Sequence, residues 1–201
     1  MARHVVIAAF CAAAFVGVVS PATADSGSPE RAIAAEVYPF FFFAGGGGGG
    51  LAYETDHWTF PLMGFAAPLS ESFRDAFLIG ASEWDVALNW GIEVGVEYYL
   101  FGERRGPLLG EGPFAGALVS LDGFHLNSGS GSGEQRLHAL YLAPRLGYRW
   151  SFFDELLFIE PAIGSAIRLR EWIPGSLDRV GVFTRAIAPL YFFEVGTSIG
   201  L

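Results

Sequence analysis

The last eleven residues alternate almost without error. Tyr191, Phe193, Val195, Thr197, Ile199 and Leu201 fall on one face, and Phe192, Glu194, Gly196, Ser198 and Gly200 on the other. A period of two is the signature of an extended strand, whose successive side chains point to opposite sides. One face is apolar. The other is small or polar and carries one carboxylate. A strand coded this way must lie between an apolar environment and a polar one.

The same code recurs upstream. Ile92, Val94, Val96, Tyr98 and Leu100 oppose Glu93, Gly95, Glu97 and Tyr99. Ala115, Ala117, Val119 and Leu121 form one face of the next segment. Leu140, Leu142, Leu146, Tyr148 and Trp150 oppose Ala139, Tyr141, Arg145, Gly147 and Arg149. Leu157, Ile159, Ile163 and Ile167 oppose Phe158, Glu160, Gly164 and Arg168. With Ile33–Phe43, Leu51–Thr55 and Trp58–Leu69, the pattern predicts eight strands, the last running from Thr184 to Leu201. Gly45 to Gly50 reads either as a flexible hairpin or as a strand with an empty inner face. A nucleotide loop is rejected, because no helix with a Lys and a Ser or Thr follows the glycines.

Composition decides what lies on the apolar side. Of 201 residues, 52% are apolar and 16% charged, against a usual ~25% charged. After position 24 no segment approaches the ~18 consecutive apolar residues of a spanning helix. The apolar residues are therefore carried in alternation, as in a β-barrel with its outer face in lipid. Residues 1–24 read as a secretion signal: Arg3, an apolar stretch from Val5 to Val19, and Ala22-Thr23-Ala24 before Asp25. An uncleaved anchor is the alternative. Residues 25–32 form a short polar leader, and the barrel spans 33–201. Cys11, the one cysteine, lies in the signal, so no disulfide or thiolate site is expected. The chain carries a net charge of −9 with no basic cluster, which argues against nucleic acid.

Eight antiparallel strands close the smallest common membrane barrel, with an interior that side chains can fill. An even number puts both ends of the barrel on one side, expected to be the periplasm. Residues 55–57, 102–112 and 151–155 then turn on that side. Residues 44–50, 70–87, 126–135 and 170–183 form the longer outer set.

"GIEVGVEYYLFGE" followed by "GPFAGALVSL" resembles the middle of small outer-membrane barrels of the OmpA-type, OmpX-like superfamily. "APRLGYRW…LLFIEPAIGSAIRL" resembles their sixth and seventh strands, and "YFFEVGTSIGL" their final assembly signal. The resemblance covers roughly residues 33–201 and is one of pattern. It implies an eight-stranded up-and-down transmembrane barrel, outer-membrane lipid as surroundings, and the barrel-assembly machinery as a partner during insertion. Such chains usually end in Phe or Trp, whereas this one ends in Leu201. Members include adhesins, binders, narrow channels and a few enzymes, so function stays open.

The faces assign candidate residues. Glu54, Glu93, Glu97, Asp122, Glu160 and Glu194 face the lumen with Arg145, Arg149 and Arg168. Charges removed from water need partners, so these are expected to form a network that fills the barrel. The excess of acids leaves open a narrow passive cation-favouring channel. Trp90, Tyr98, Tyr148, Trp150, Tyr191 and Phe193 lie near strand ends or on lipid faces and are expected to form an interfacial girdle. Phe73, Phe77, Trp84 and Trp172 fall in the two longest outer loops and are the candidate contacts for an unidentified extracellular ligand.

An enzyme is weighed too. Lipid A deacylases are small barrels using a His and a Ser two apart on one strand face, with a Glu. Phe124-His125-Leu126-Asn127-Ser128 resembles that segment, but His125 and Ser128 are three apart and face opposite sides of a strand. Asn127 stands at the matching position. His57 and His138 are isolated in sequence, and no cofactor or metal is implied. The expectation is a non-enzymatic outer-membrane barrel with a structural or surface-interaction role. A soluble lipocalin-type barrel makes the opposite facing prediction: apolar inward, charged outward.

Overall fold

In the computed structural model the described residues are 31–43, 45–55, 57–79, 84–100, 111–128, 134–153, 157–173 and 183–200. The signal and leader, Arg104, Arg105 and Leu201 lie outside them. The barrel strands are β1 (Ala32–Val37), β2 (Gly47–Glu54), β3 (Trp58–Pro68), β5 (Trp84–Tyr99), β6 (Gly112–Ser128), β7 (Glu134–Phe152), β8 (Leu157–Trp172) and β10 (Ile187–Gly200). They close a ring in which each strand pairs antiparallel with its neighbours, and β1 meets β10. This is the expected eight-stranded antiparallel up-and-down barrel. Both ends of the ring chain, Ala32 and Gly200, lie at one end, called here the near end. A two-residue ribbon of β4 (Leu78–Ile79) and β9 (Phe183–Thr184) lies at the far end.

The facing is that of a membrane barrel. Glu93, Glu97, Arg145, Arg149, Glu160 and Glu194 are buried inside. Ile92, Val94, Leu146 and Ile163 are more than half exposed outside. The soluble-barrel alternative requires the reverse. Strands β5 to β8 exceed the ~9–11 residues needed to cross a bilayer. Their register agrees with the sequence pattern, since a slip by one residue would turn every charge outward.

The strand edges differ from expectation in several places, and the glycine run is settled. Phe40–Phe43 do not extend the first strand. They form a short helix, α1 (Pro39–Phe43). Pro39 has no N–H for a ladder and its fixed φ suits the first turn of a helix. The Phe41 carbonyl accepts from Gly46 at 2.7 Å, and Gly45 takes the turn at φ 81°. The glycine run is divided: Gly47–Gly50 belong to β2, so the strand with an empty inner face is the one realised. At Gly48 a Cβ would sit 2.9 Å from the Phe41 ring and 2.9 Å from the Phe65 Cβ. The missing side chain is the space Phe41 occupies.

The stretch expected to be irregular, Ser70–Asp85, holds α2 (Glu71–Phe77), β4 and the start of β5. The last strand begins at Ile187 rather than Thr184, because Phe183–Thr184 leave the wall to pair with Leu78–Ile79. The Arg185 amide donates to the Phe77 carbonyl at 2.6 Å. This folds the far-end connections onto the mouth, where Phe77 and Leu78 join an apolar core with Leu88, Phe124, Leu137 and Tyr141.

Candidate functional site

Two guanidiniums organise the near half of the interior. Arg145, on β7, donates to Glu97 of β5 and Glu194 of β10, with Glu160 of β8 at 3.8 Å. Four residues along the same strand face, Arg149 donates to Glu160 at 2.7 Å and to Glu54 of β2 at 2.6 Å. Glu36 of β1 lies 3.9 Å from Arg149. Glu160 thus bridges the two arginines. Tyr99 also donates to Glu160, at 2.8 Å. The network joins opposite walls because inward residues from every strand meet in a lumen this narrow.

Rings close the remaining space. Arg149 lies 4.0 Å from the Phe158 ring centroid and 4.9 Å from that of Tyr99. Arg145 lies 5.0 Å from that of Phe192 and 5.6 Å from that of Phe114. Guanidinium stacks readily on aromatic faces. The result is a packed plug across the near half.

Six of the nine expected lumen residues meet in the plug, joined by Glu36; Arg168, Glu93 and Asp122 lie outside it. Arg168 is not in the plug. It sits at the far end, half-buried, bonded to Glu171 at 3.0 Å and to Thr184. It is the cross-strand partner of the buried Tyr141, so it keeps the inward facing but lies too far along β8 to reach the plug. Glu36 was missed. Its signal was present, since Ala32, Ala34, Glu36 and Tyr38 keep the inward period, but the Phe run after it blurred the facing. The balance is therefore more acidic than expected.

Glu93 and Asp122 stand apart from both arginines. Glu93 accepts from the Tyr38 hydroxyl at 3.0 Å, and Asp122 from Ser120 at 2.5 Å. Among the described residues neither has a cation within ion-pair distance. They border a cavity of about 70 Å³ in the far half, lined by Phe41, Phe65, Phe124 and Tyr141 among others.

On the outside, Tyr98 meets Trp58 at 4.8 Å and Tyr148 meets Trp150 at 4.9 Å, both near the near end. Trp90 lies 5.5 Å from His138, which stacks 5.5 Å from Trp172. His138, isolated in sequence, is thus part of a far-end aromatic row. Tyr191 and Phe193 are exposed on the outer face of β10. Trp58 and Trp172 join these rings on the outer surface.

The candidate loop contacts lie in regular elements toward the far end. Trp84 opens β5 and packs against the far-end core. Trp172 closes β8. Phe77 is 6% exposed and turned inward. The side chain of Phe73 lies outside the described residues. Phe77 and Trp84 pack into the mouth, where burial removes them from water.

No family model and no curated protein matches the chain. Among solved structures, the crystal structure of Neisserial surface protein A (NspA) is similar at 12% identity and a TM-score of 0.48, over 88% of this chain and 100% of that one.

Proposed function

We propose that this chain is a non-enzymatic outer-membrane barrel, held in lipid by its apolar belt, whose far end faces outward and makes surface contacts. The observation that carries the reading is the pairing of an apolar exterior with a charged interior. Lipid solvates the first, and the second satisfies itself by ion pairs and rings. The Arg145–Arg149 plug supports a barrel that does not conduct. The contact surface is the folded far-end cap, where α2 exposes Glu71 and Asp75 and the neighbouring chain exposes Arg185.

Membrane flotation of the full chain reconstituted in phospholipid vesicles is the test, with planar-bilayer recording beside it. The expected result is co-flotation, slower gel mobility after boiling, and no voltage-dependent current. A protein left at the bottom of the gradient refutes membrane insertion. A steady cation current restores the channel reading instead.

A further inference from the structure

The wall of this barrel is incomplete on one side. Strand β1 pairs with β10 only from Val37↔Val195 to Ala32↔Gly200. From Ile187 to Glu194, β10 pairs with β8 alone among the described residues. An open strand edge in hydrocarbon is costly, because its backbone groups find no partner there. Two features moderate it. Pro189 lies in this stretch and has no N–H to leave unpaired. Helix α1 packs against β2, β3 and β10 and so stands where a strand would continue. A helix gives the edge apolar cover without ladder hydrogen bonds.

The cavity passes through that seam. Its lining includes Phe40, Tyr191 and Phe193, which are exposed on the outside, and also Glu93, Asp122 and Tyr141, which are buried inside. A void touched by both sets runs from the lipid face to the lumen. The far end above it is covered by Phe77 and the β4–β9 ribbon. The near end below it is closed by the arginine plug. The inner wall is polar in a specific way. Among the described residues Glu93 and Asp122 are buried carboxylates without a cation at ion-pair distance, and the Tyr141 hydroxyl is buried without a well-formed hydrogen bond, with Thr184 beside it.

We propose that the seam between α1 and β10 is a lateral port that admits one single-chain amphiphile from the outer leaflet, with its alkyl chain against Phe40, Phe41, Leu190 and Phe193 and its ammonium head at Glu93 and Asp122. The head chemistry follows from the unpaired acids, since a buried carboxylate gains most from a cation that is also a hydrogen-bond donor. An ammonium offers three donors, enough for both acids and the Tyr141 oxygen. The proposal rests on the membrane reading above.

The test uses the full chain in phosphatidylcholine vesicles and a dodecylamine probe carrying a photoreactive diazirine in its chain. Flotation first establishes insertion, so failure there overturns the membrane reading and the port with it. In floating protein, cross-links mapped by mass spectrometry are expected on α1 and on 190–193 of β10. The combined Glu93→Gln and Asp122→Asn substitutions, near-isosteric, should lower labelling there about tenfold or more. The matched dodecanoic acid probe should label weakly. A Leu190→Trp variant, which fills the port without touching the acids, should also suppress labelling. Labelling spread evenly over the outer belt and unchanged in these variants would mean boundary lipid only, and would overturn the port. Labelling confined to the far-end cap would place entry there instead, and also overturns it.

Discussion

Arg145 shows how a single residue decides the interior. It faces three carboxylates, and all four side chains are buried. Removing a buried cation leaves its acids uncompensated, which costs more than the pair itself contributes. Arg145→Met should therefore destabilise the barrel by about 3–5 kcal/mol. Adding Glu97→Gln and Glu194→Gln to it should restore much of the loss. Urea unfolding in vesicles, followed by tryptophan fluorescence, reads both. A triple variant as unstable as the single one would show that steric filling rather than charge compensation is what Arg145 supplies. Much of this was legible from residues alone: inward facing of Arg145, Arg149 and six acids follows from their period. Which acid meets which arginine was not, because the pairs join strands far apart in the chain. Arg149 and Glu54 are 95 positions apart.

At the scale of elements, α1 is the least expected feature. Four phenylalanines in a row fit a strand by propensity, and only Pro39 argues otherwise. The helix is held by Phe41, which stacks on Phe65 at 4.9 Å with nearly parallel rings and meets the Tyr38 ring at 5.8 Å. Gly48→Val would place two methyl groups in the space of the Phe41 ring. The expected outcome is release of α1, read as faster chymotrypsin cleavage within 40–43 while heat-modifiable mobility persists. Phe41→Ala should act the same way through lost packing, by about 3–5 kcal/mol of local contact at most. Unchanged cleavage in both would mean that α1 is held by its outer contacts with β10. The far-end cap behaves differently. It is fastened by polar bonds, Thr184 to Glu171 at 2.5 Å and Arg185 to the Asp75 carbonyl at 2.8 Å. Glu171→Gln should loosen the ribbon and speed hydrogen exchange at Phe183 and Thr184, with the barrel strands unaffected.

At the scale of the molecule, the belt and the plug act together. The belt is a property of the surroundings, so its test changes them. Leu146 is 61% exposed on the outer face of β7. Leu146→Arg should cost about 2–4 kcal/mol in a bilayer if it lies near the midplane. The same substitution on a water-facing surface should be nearly neutral. Refolding yield into vesicles, compared between the two proteins, distinguishes these outcomes. A belt without a plug would be a pore; a plug without a belt would be a soluble core. The acid excess that first suggested conduction is instead divided between two places. Five carboxylates share two arginines in the plug, and Glu93 with Asp122 border the seam.

The sequence by itself determined the strand count, the antiparallel closure and which side of each strand faces in. A period of two is local, and an apolar outer face set against a charged inner one enforces it at every residue. It also determined that the interior would be acidic. Only the tertiary structure decided that Glu36 belongs to the plug, that Arg168 does not, that Phe77 turns inward, and that α1 stands in for the missing length of β1 beside β10. Those outcomes depend on which strands end early and on what space their neighbours leave. Gly48 and Pro39 set that space, but their effect is visible only once Phe65 and β10 are brought beside them by ring closure.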